Sequence, residues 1–367
     1  MKIMRISRRK TKTIKIGNVY IGGDNPVAIQ SMTKTRTADV QETVSEIMKL
    51  QKIGCEIVRL AVRDNKDARA IKKIRPRMNI PLVADIHFDW RLALEAIDSG
   101  VDKIRLNPGN IYKKNQIREV AKAAKLNGIP IRIGVNSGSL RSHQGRQSRQ
   151  SHQAQADTMV KSALDYIKIL EGFKFHDIVV SLKGSDIFDT IEAYRKIATR
   201  CDYPLHLGVT ATGAPYMGTI KSSIGLGVLL LEGIGDTIRV SLTDRPQEEI
   251  RAAKAILCAL GLRNFGPEII SCPTCGRCEV DLIKIVKKLD GLLAGYPVSR
   301  LTGLTGTPLK LAVMGCVVNG PGEARGADVG VAFGKKEGLL FKNARPLRKV
   351  SLYNCIDYLL KEGNLNV

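Results

Sequence analysis

The regular recurrence of short β-branched segments across residues 1–245 constrains the fold of this chain more than any other feature. Helical patterns such as Val40–Ile53 and Ala163–Gly172 lie between the segments, which recur every 20 to 50 residues. The eight segments are Val27–Met32, Ile57–Val62, Leu82–His87, Lys103–Pro108, Pro130–Asn136, Asp177–Lys183, Leu205–Thr210 and Thr237–Thr243. Eight successive strand–helix units predict an α/β fold built on a closed parallel (β/α)8 barrel, the TIM fold. A doubly wound open sheet is the alternative, and the number of units disfavours it.

Polar side chains occur on these strands where an entirely apolar sequence is expected, because strands of a parallel sheet are buried on both faces. Several polar residues alternate along a strand and therefore share one face. These pairs are Asp85 with His87, Arg105 with Asn107, Ser181 with Lys183, and Arg239 with Ser241, while Arg132 with Asn136 and His206 with Thr210 are four apart. Most lie towards the C-terminal strand ends, where barrels of this kind build their active sites. Gln30, Ser31 and Arg59 extend the set to the first two strands.

The charges on this face are unbalanced. Five cations, Arg59, Arg105, Arg132, Lys183 and Arg239, stand against a single carboxylate well inside the strands, Asp85. Ion pairing within the barrel would explain one or two of them but leaves the others without a counter-charge. Guanidinium groups match phosphate oxygens in pairs. The sequence therefore predicts a phosphorylated or diphosphorylated small molecule as the ligand.

A second, smaller domain is predicted after Leu262, which gives a substrate-binding domain at 1–262 and a second domain at 263–367. Strands are expected at Glu268–Ser271, Leu309–Met314 and Ala327–Phe333, and helices at Val280–Leu293 and Leu352–Lys361. This alternation predicts a compact α/β module that carries cysteines on loops at the strand ends.

Three cysteines indicate the chemistry of the second domain. Cys272 and Cys275 form a Cys-x-x-Cys pair, and Cys316 lies on a glycine-rich loop that ends in Glu323. Three thiolates are one short of a closed four-ligand site, and Glu323 is the candidate for the fourth, more easily displaced ligand. The spacing alone leaves an iron–sulfur cluster, a zinc site and dithiol redox chemistry open, and Cys278 adds a further thiol to the run.

Composition narrows the class of protein. Hydrophobic content is ordinary, no apolar run is long enough for a membrane span, and the basic N-terminus lacks the apolar core of a signal peptide, so a cytoplasmic protein is expected. The net charge of +23 suits an anionic substrate, an acidic protein partner or nucleic acid. A basic, zinc-binding RNA-binding protein is therefore an alternative, although it leaves the polar face of the barrel unexplained. A pterin-binding barrel transferase would explain the barrel and not the cysteines.

Six motifs, in order along nearly the whole chain, resemble those of the bacterial 4-hydroxy-3-methylbut-2-enyl diphosphate synthases of the non-mevalonate isoprenoid pathway. The motifs are Ile29–Thr33, Ala84–Phe88, Arg105–Asn110, Arg132–Asn136, Ser271–Arg277 and Gly315–Glu323. The resemblance implies a TIM barrel followed by a 4Fe–4S domain, and reductive ring opening of 2-C-methyl-D-erythritol 2,4-cyclodiphosphate with two electrons and loss of water. It also implies a head-to-tail homodimer in which each cluster domain caps the partner's barrel. Flavodoxin or ferredoxin would donate the electrons, and neither nucleic acid nor a membrane is expected as a partner.

The resemblance also implies roles for particular residues. Cys272, Cys275 and Cys316 would be the thiolate ligands and Glu323 the labile fourth. The substrate would be bound by Arg59, Asp85, Arg105, Arg132, Asn136, Lys183, Arg239 and Ser241. His87, His206 and Glu323 are the candidates for proton transfer.

Three departures from the family pattern stand out. Ala211 occupies a position after the seventh strand where the family usually has glutamate, and Cys278 replaces a residue that is usually not cysteine. The segment Arg141–Thr158, predicted to be a mobile loop at the barrel mouth, is more basic than expected for the family.

Overall fold

A computed structural model describes residues 6–139, 152–184, 186–210, 212–293, 309–317, 322 and 324–365. The chain divides into two compact units, Met1–Arg263 and Asn264–Val367. Within the described residues, no helix is both long and apolar enough to cross a bilayer.

The first unit begins with a small antiparallel hairpin, β1 (Ile14–Ile16) and β2 (Val19–Ile21). Eight parallel strands follow: β3 (Ala28–Met32), β4 (Ile57–Val62), β5 (Leu82–Ile86), β6 (Lys103–Leu106), β7 (Ile131–Asn136), β8 (Ile178–Lys183), β9 (His206–Leu207) and β10 (Thr237–Ile238). The intervening helices are α1 (Val40–Lys52), α2 (Asn65–Ile74), α3 (Arg91–Asp98), α4 (Lys114–Leu126), α5 (His152–Gly172), α6 (Ile187–Ala198), α7 (Pro215–Leu231) and α8 (Pro246–Ala259), with short 3-10 turns at Arg75–Arg77 and Ser137–Ser139.

The eight strands form a closed barrel. They pair in the order β8-β7-β6-β5-β4-β3-β10-β9, so that β8 and β9 are left as the two ends of the sheet. A parallel bridge between Val180 and Leu205 joins those ends. The predicted (β/α)8 barrel is confirmed, and the open doubly wound alternative is wrong because its two edges would remain apart.

The floor of the barrel is apolar. Ala28, Ile57, Val83 and Val179 are buried inward-facing residues, and Ile14, Ile16 and Ile21 of the β1–β2 hairpin pack against them. The hairpin therefore covers the N-terminal end of the barrel. This hairpin was not predicted, because each of its strands has only three residues.

Two expectations about the first unit were wrong. Strands β9 and β10 have two residues each, so Thr210, Arg239 and Ser241 follow their strands and do not lie on them. Residues 152–158, predicted as loop, form the first turns of α5, where burial of Ala156 and Met159 extends the apolar side of that helix. The remaining predicted loop, 141–151, lies outside the described residues.

The second unit is a five-stranded sheet with helices α9 (Leu282–Leu293) and α10 (Cys355–Glu362). Strands β11 (Glu268–Ser271), β12 (Lys310–Met314) and β13 (Val329–Phe333) are parallel, and β14 (Glu337–Lys342) and β15 (Arg345–Ser351) continue the sheet antiparallel. The predicted second α/β domain is confirmed. The β14–β15 hairpin was not predicted; β15 is mostly exposed and lacks an apolar alternation.

Candidate active site

A row of charged side chains crosses three neighbouring strands of the barrel. The register pairs Asp85 on β5 with Arg105 on β6, and Arg105 with Arg132 on β7. Arg105 Nη1 donates to Asp85 Oδ1 at 3.1 Å, and Arg105 Nη2 donates to the Gly134 carbonyl at 2.8 Å. A side chain at Gly134 would overlap the Arg105 guanidinium, so glycine there leaves room for it.

Asp85 also lies close to Arg59 and His87. Its Oδ2 is 3.6 Å from Arg59 Nε and 3.9 Å from His87 Nε2. Burial by itself raises the pKa of Asp85, but the nearby guanidiniums of Arg59, Arg105 and Arg132 together outweigh it and hold the pKa at about 2. Asp85 is therefore an ionised counter-charge at neutral pH. Burial lowers the pKa of Arg59 to about 10, against the opposing attraction of Asp85.

Arg132 and Lys183 are buried cations of the same interior, 1% and 5% exposed. Arg132 Nη1 donates to Gln30 Oε1 at 3.4 Å. Burial lowers the pKa of Lys183 well below its usual range, and the charges of Arg59, Arg239 and Arg132 add to that effect. A Cβ at Gly208 would lie 2.6 Å from Lys183 Nζ, so this glycine leaves space for the ammonium group.

Lys103 and His206 are fully buried in the same barrel. Burial is the largest cause lowering the pKa of each, and the charge of Arg132 acts in the same direction on both. His206 Nδ1 lies 2.7 Å from Thr237 Oγ1. Lys103 was not among the predicted site residues, although it stands two residues before Arg105 and so shares its strand face.

A second carboxylate enters the site from a helix. Glu249 of α8 is 2% exposed and lies 3.3 Å from Arg239 Nη2. It also accepts hydrogen bonds from Ser31 Oγ and from the Leu242 amide, both at 3.1 Å. The barrel interior therefore carries a smaller excess of positive charge than the strand residues alone predicted. The signal for Glu249 was present, because it precedes the buried residues Ala253 and Ile256 at helical spacing.

The remaining predicted residues lie towards the mouth. The His87 side chain is 43% exposed, and its carbonyl accepts from Asn110 Nδ2 at 2.8 Å. Asn136 ends β7, where the register pairs it with Lys183. Ser241 is half-buried, and its carbonyl accepts a hydrogen bond from the Thr212 hydroxyl.

The cysteine segments of the second unit meet at Gly315. The Gly315 amide donates to Cys272 Sγ at 3.3 Å, and its carbonyl accepts from the Glu279 amide at 3.1 Å. Its Cα packs against Cys278, since a Cβ there would lie 2.5 Å from Cys278 Sγ. Residue 315 thus links the Cys-x-x-Cys segment to Cys316.

The donor set fits an iron–sulfur cluster. Cys272 and Cys316 are half-buried, and Cys275 is exposed. A backbone amide donating to a ligand sulfur is a usual feature of iron–sulfur sites. Cys278 donates to the Val280 carbonyl at 3.2 Å, and both Cys278 and Cys272 pack against the apolar core of this unit. Glu323 and Ala211 lie outside the described residues.

Comparison with solved structures shows the fold of the barrel. Dihydropteroate synthases from Stenotrophomonas maltophilia and Coxiella burnetii superpose with TM-scores of 0.52 and 0.51, at 13% and 12% identity. The alignments cover 68% of this chain and 98% and 99% of those chains. At such identity the likeness concerns the fold alone.

Comparison with known sequences shows the family. The model of the GcpE TIM-barrel domain matches residues 11–254, and that of the GcpE protein C-terminal domain matches residues 268–364. Relatives from Bacillus cytotoxicus and Clostridium perfringens, both named 4-hydroxy-3-methylbut-2-en-1-yl diphosphate synthase (flavodoxin), are 51% and 52% identical. The matches cover 97% of this chain, and 93% and 99% of those proteins. The resemblance drawn from the sequence motifs is confirmed: this chain belongs to the GcpE family.

Proposed function

We propose that this chain catalyses the reductive ring opening and dehydration of 2-C-methyl-D-erythritol 2,4-cyclodiphosphate to 4-hydroxy-3-methylbut-2-enyl diphosphate. The reaction takes up two electrons with the protons that balance them and releases water. The observation that carries the proposal is the identity of about half over 97% of the chain to relatives named for this activity. The family assignment leaves the zinc-dependent RNA-binding alternative without support.

The interior of the barrel supports a role as the site for the diphosphate. Arg59, Arg105, Arg132, Lys183 and Arg239 are its predicted ligands, together with Asn136 and Ser241. They neutralise the charge that accumulates on the diphosphate when the ring C–O bond breaks. Asp85 holds Arg59 and Arg105 in position through contacts of 3.6 and 3.1 Å.

Cys272, Cys275, Cys316 and Glu323 would hold the 4Fe–4S cluster in the second domain. When bound, the cluster supplies single electrons and the Lewis acidity of an iron whose carboxylate ligand can leave. Of the proton-transfer candidates, His87 is half-exposed at the mouth and 3.9 Å from Asp85, which suits exchange with solvent. His206 is fully buried and has no such access. Glu323 is the third candidate.

The proposed partners follow from charge and surface. A flavodoxin is the electron donor named for the relatives, and the net charge of +23 favours association with an acidic protein of that kind or a ferredoxin. A homodimer places each cluster domain over the partner's barrel. Helix α7 supports association because it exposes an apolar stripe of Tyr216, Met217, Ile220 and Ile224. The protein acts in the cytoplasm, where cysteines stay reduced.

Electron paramagnetic resonance of the reduced protein tests this function. Anaerobically reconstituted protein, reduced with dithionite, is measured with and without the cyclodiphosphate, and product formation is followed in parallel. We expect a 4Fe–4S signal that changes on adding the substrate, together with formation of the linear diphosphate. A protein that binds zinc, gives no signal and forms no product would overturn the proposal.

A further inference from the structure

The cations of the barrel interior fall into two groups. Arg59 and Arg105 contact Asp85, and Arg239 contacts Glu249. Within the described part of the chain, Lys103, Arg132 and Lys183 form no salt bridge, so these three basic groups have no direct ion-pair partner. A buried cation without a counter-ion costs several kcal/mol, roughly. A negatively charged ligand is therefore stabilised most by the second group, Lys103, Arg132 and Lys183.

Four buried side-chain atoms in this interior have no hydrogen-bond partner among the described residues. They are Gln30 Nε2, Lys103 Nζ, Arg132 Nε and His206 Nε2, and their residues are here called the deep donor group. Amide, ammonium and guanidinium nitrogens only donate. His206 Nε2 carries a proton when the Thr237 hydroxyl donates to Nδ1, 2.7 Å away. Because these four nitrogen donors have no acceptor among the described residues, a ligand that offers only hydrogen-bond acceptors would suit them.

The deep donor group belongs to one part of the barrel. Its members lie on β3, β6, β7 and β9, and Gln30 directly contacts Arg132. The charges of Arg132 and Lys103 both act on His206. Below them the β1–β2 hairpin seals the apolar floor. Because the hairpin covers the opposite end, the side of the barrel that faces these donors is the mouth, where the diphosphate site is predicted.

We propose that the deep donor group binds one phosphate group of the substrate, beside Arg59, Arg105 and Arg239. This assigns Lys103 and Gln30 to substrate binding and makes His206 a neutral hydrogen-bond donor to phosphate in place of a proton donor. The inference rests on the proposed function. Two ligands could supply the phosphate group, the diphosphate of the substrate and free inorganic phosphate. The binding experiments below distinguish them.

Titration calorimetry of the full chain measures the affinity for inorganic phosphate and, separately, for the cyclodiphosphate. Lys103→Met keeps the length of the side chain and removes its charge. Because a charge-assisted hydrogen bond contributes roughly 1.5–3 kcal/mol, we expect this variant to weaken both affinities by about 10- to 100-fold. Lys122→Met, on the exposed side of α4, is the matched control and keeps both affinities. Unchanged affinities in Lys103→Met overturn the proposal.

Thermal unfolding without ligand shows whether the variant folds. Removal of an uncompensated buried cation is expected to raise the melting temperature of Lys103→Met above that of the wild type. Lys103→Gln is the second variant if methionine perturbs the packing, and it retains a neutral donor with intermediate affinity.

Competition identifies the source of the phosphate. We expect inorganic phosphate and the cyclodiphosphate to exclude one another, whereas simultaneous binding would show an independent anion site and overturn the assignment to substrate. If the wild type binds inorganic phosphate in competition with the cyclodiphosphate but forms no product, the proposed function is refuted. The phosphate site is not refuted by that result.

His206→Gln and His206→Leu separate the two roles of the histidine. Glutamine retains an N–H donor but cannot exchange a proton near neutral pH, so turnover should stay within about fivefold of wild type, while leucine should raise KM by about 10-fold or more. Loss of kcat in both variants at unchanged KM would restore the proton-donor role and overturn ours.

Discussion

The interior of the barrel and the cysteine loops of the second domain are built on opposite principles. In the barrel, functional side chains project from strands whose register places Asp85, Arg105 and Arg132 in one row, almost without solvent exposure. In the second domain, the cysteines lie on loops beyond the strands, and Cys275 is exposed. A strand scaffold positions charges before the ligand arrives, whereas loop thiolates are brought to their final geometry by the group they bind.

The packing beneath the two sites differs in the same way. The barrel places charges in its own core, so that its stability depends on their pairing. The second domain keeps an apolar core of residues such as Leu311, Val331 and Phe333 beneath the cysteine loops. Substitutions in the barrel site should therefore affect folding and binding together, whereas replacing the exposed Cys275 should affect mainly the bound group.

The largest effect is expected from Cys316→Ser. A serine hydroxyl is a poor ligand for iron, so the iron content, the visible absorption of the cluster and turnover should all be lost. We expect turnover to fall more than about 100-fold, beyond the usual cost of changes around metal ligands. The fold should persist, because the residue lies outside the apolar core. Cys258→Ser, at an exposed barrel cysteine, is the control; a fully active Cys316→Ser protein would contradict the cluster assignment.

Asp85→Asn should have the largest effect on the barrel itself. It leaves Arg59 and Arg105 without their carboxylate, so the free energy of unfolding should fall by about 3–5 kcal/mol at neutral pH. Urea unfolding followed by the fluorescence of Trp90, the one tryptophan, measures the change. Asp202→Asn, at an exposed ion pair with Lys12, should cost less than about 1 kcal/mol.

The destabilisation caused by Asp85→Asn should depend on pH. The pKa of Asp85 is about 2 in the folded protein and 3.8 ordinarily. A depressed pKa contributes stability that is fully present above the ordinary value and is lost as the pH falls through the folded value, here between about 4 and 2. The difference in unfolding free energy between wild type and Asp85→Asn should narrow by roughly 2 kcal/mol over that interval. A difference independent of pH would show that Asp85 is not an ionised partner.

The smallest effect is expected from Cys278→Ala, which tests whether the extra thiol is a ligand. Its Sγ donates to the Val280 carbonyl and packs against the apolar core, so its loss should cost about 1 kcal/mol of unfolding free energy and leave the iron content unchanged. Cys275→Ala, three residues away, should lose the iron. Equal iron loss in both variants would show that Cys278 is a ligand and would contradict its assignment as a packing residue.

Much of the barrel could be predicted because its signals are local. β-Branched segments marked all eight strands, and alternation placed Arg105 and Asn107 on one face. The short strands β9 and β10 could not be predicted as such, because their ends depend on hydrogen bonds between distant segments. Glu249 could not be assigned to the site from the strand pattern, because it lies on helix α8 and reaches the barrel interior from there.

The sequence by itself determined the order of the strand–helix units, the face on which each polar strand residue lies, and the cysteine motifs whose family resemblance implies a cluster. The tertiary structure alone decided which charges neutralise one another. It paired Arg239 with Glu249, because α8 packs back onto the strand end that precedes it, and it placed Lys103 near Arg132 and Arg59 of other strands. Periodicity reports a side chain's direction, whereas its counter-charge, depth and pKa depend on neighbours that only the closed barrel supplies.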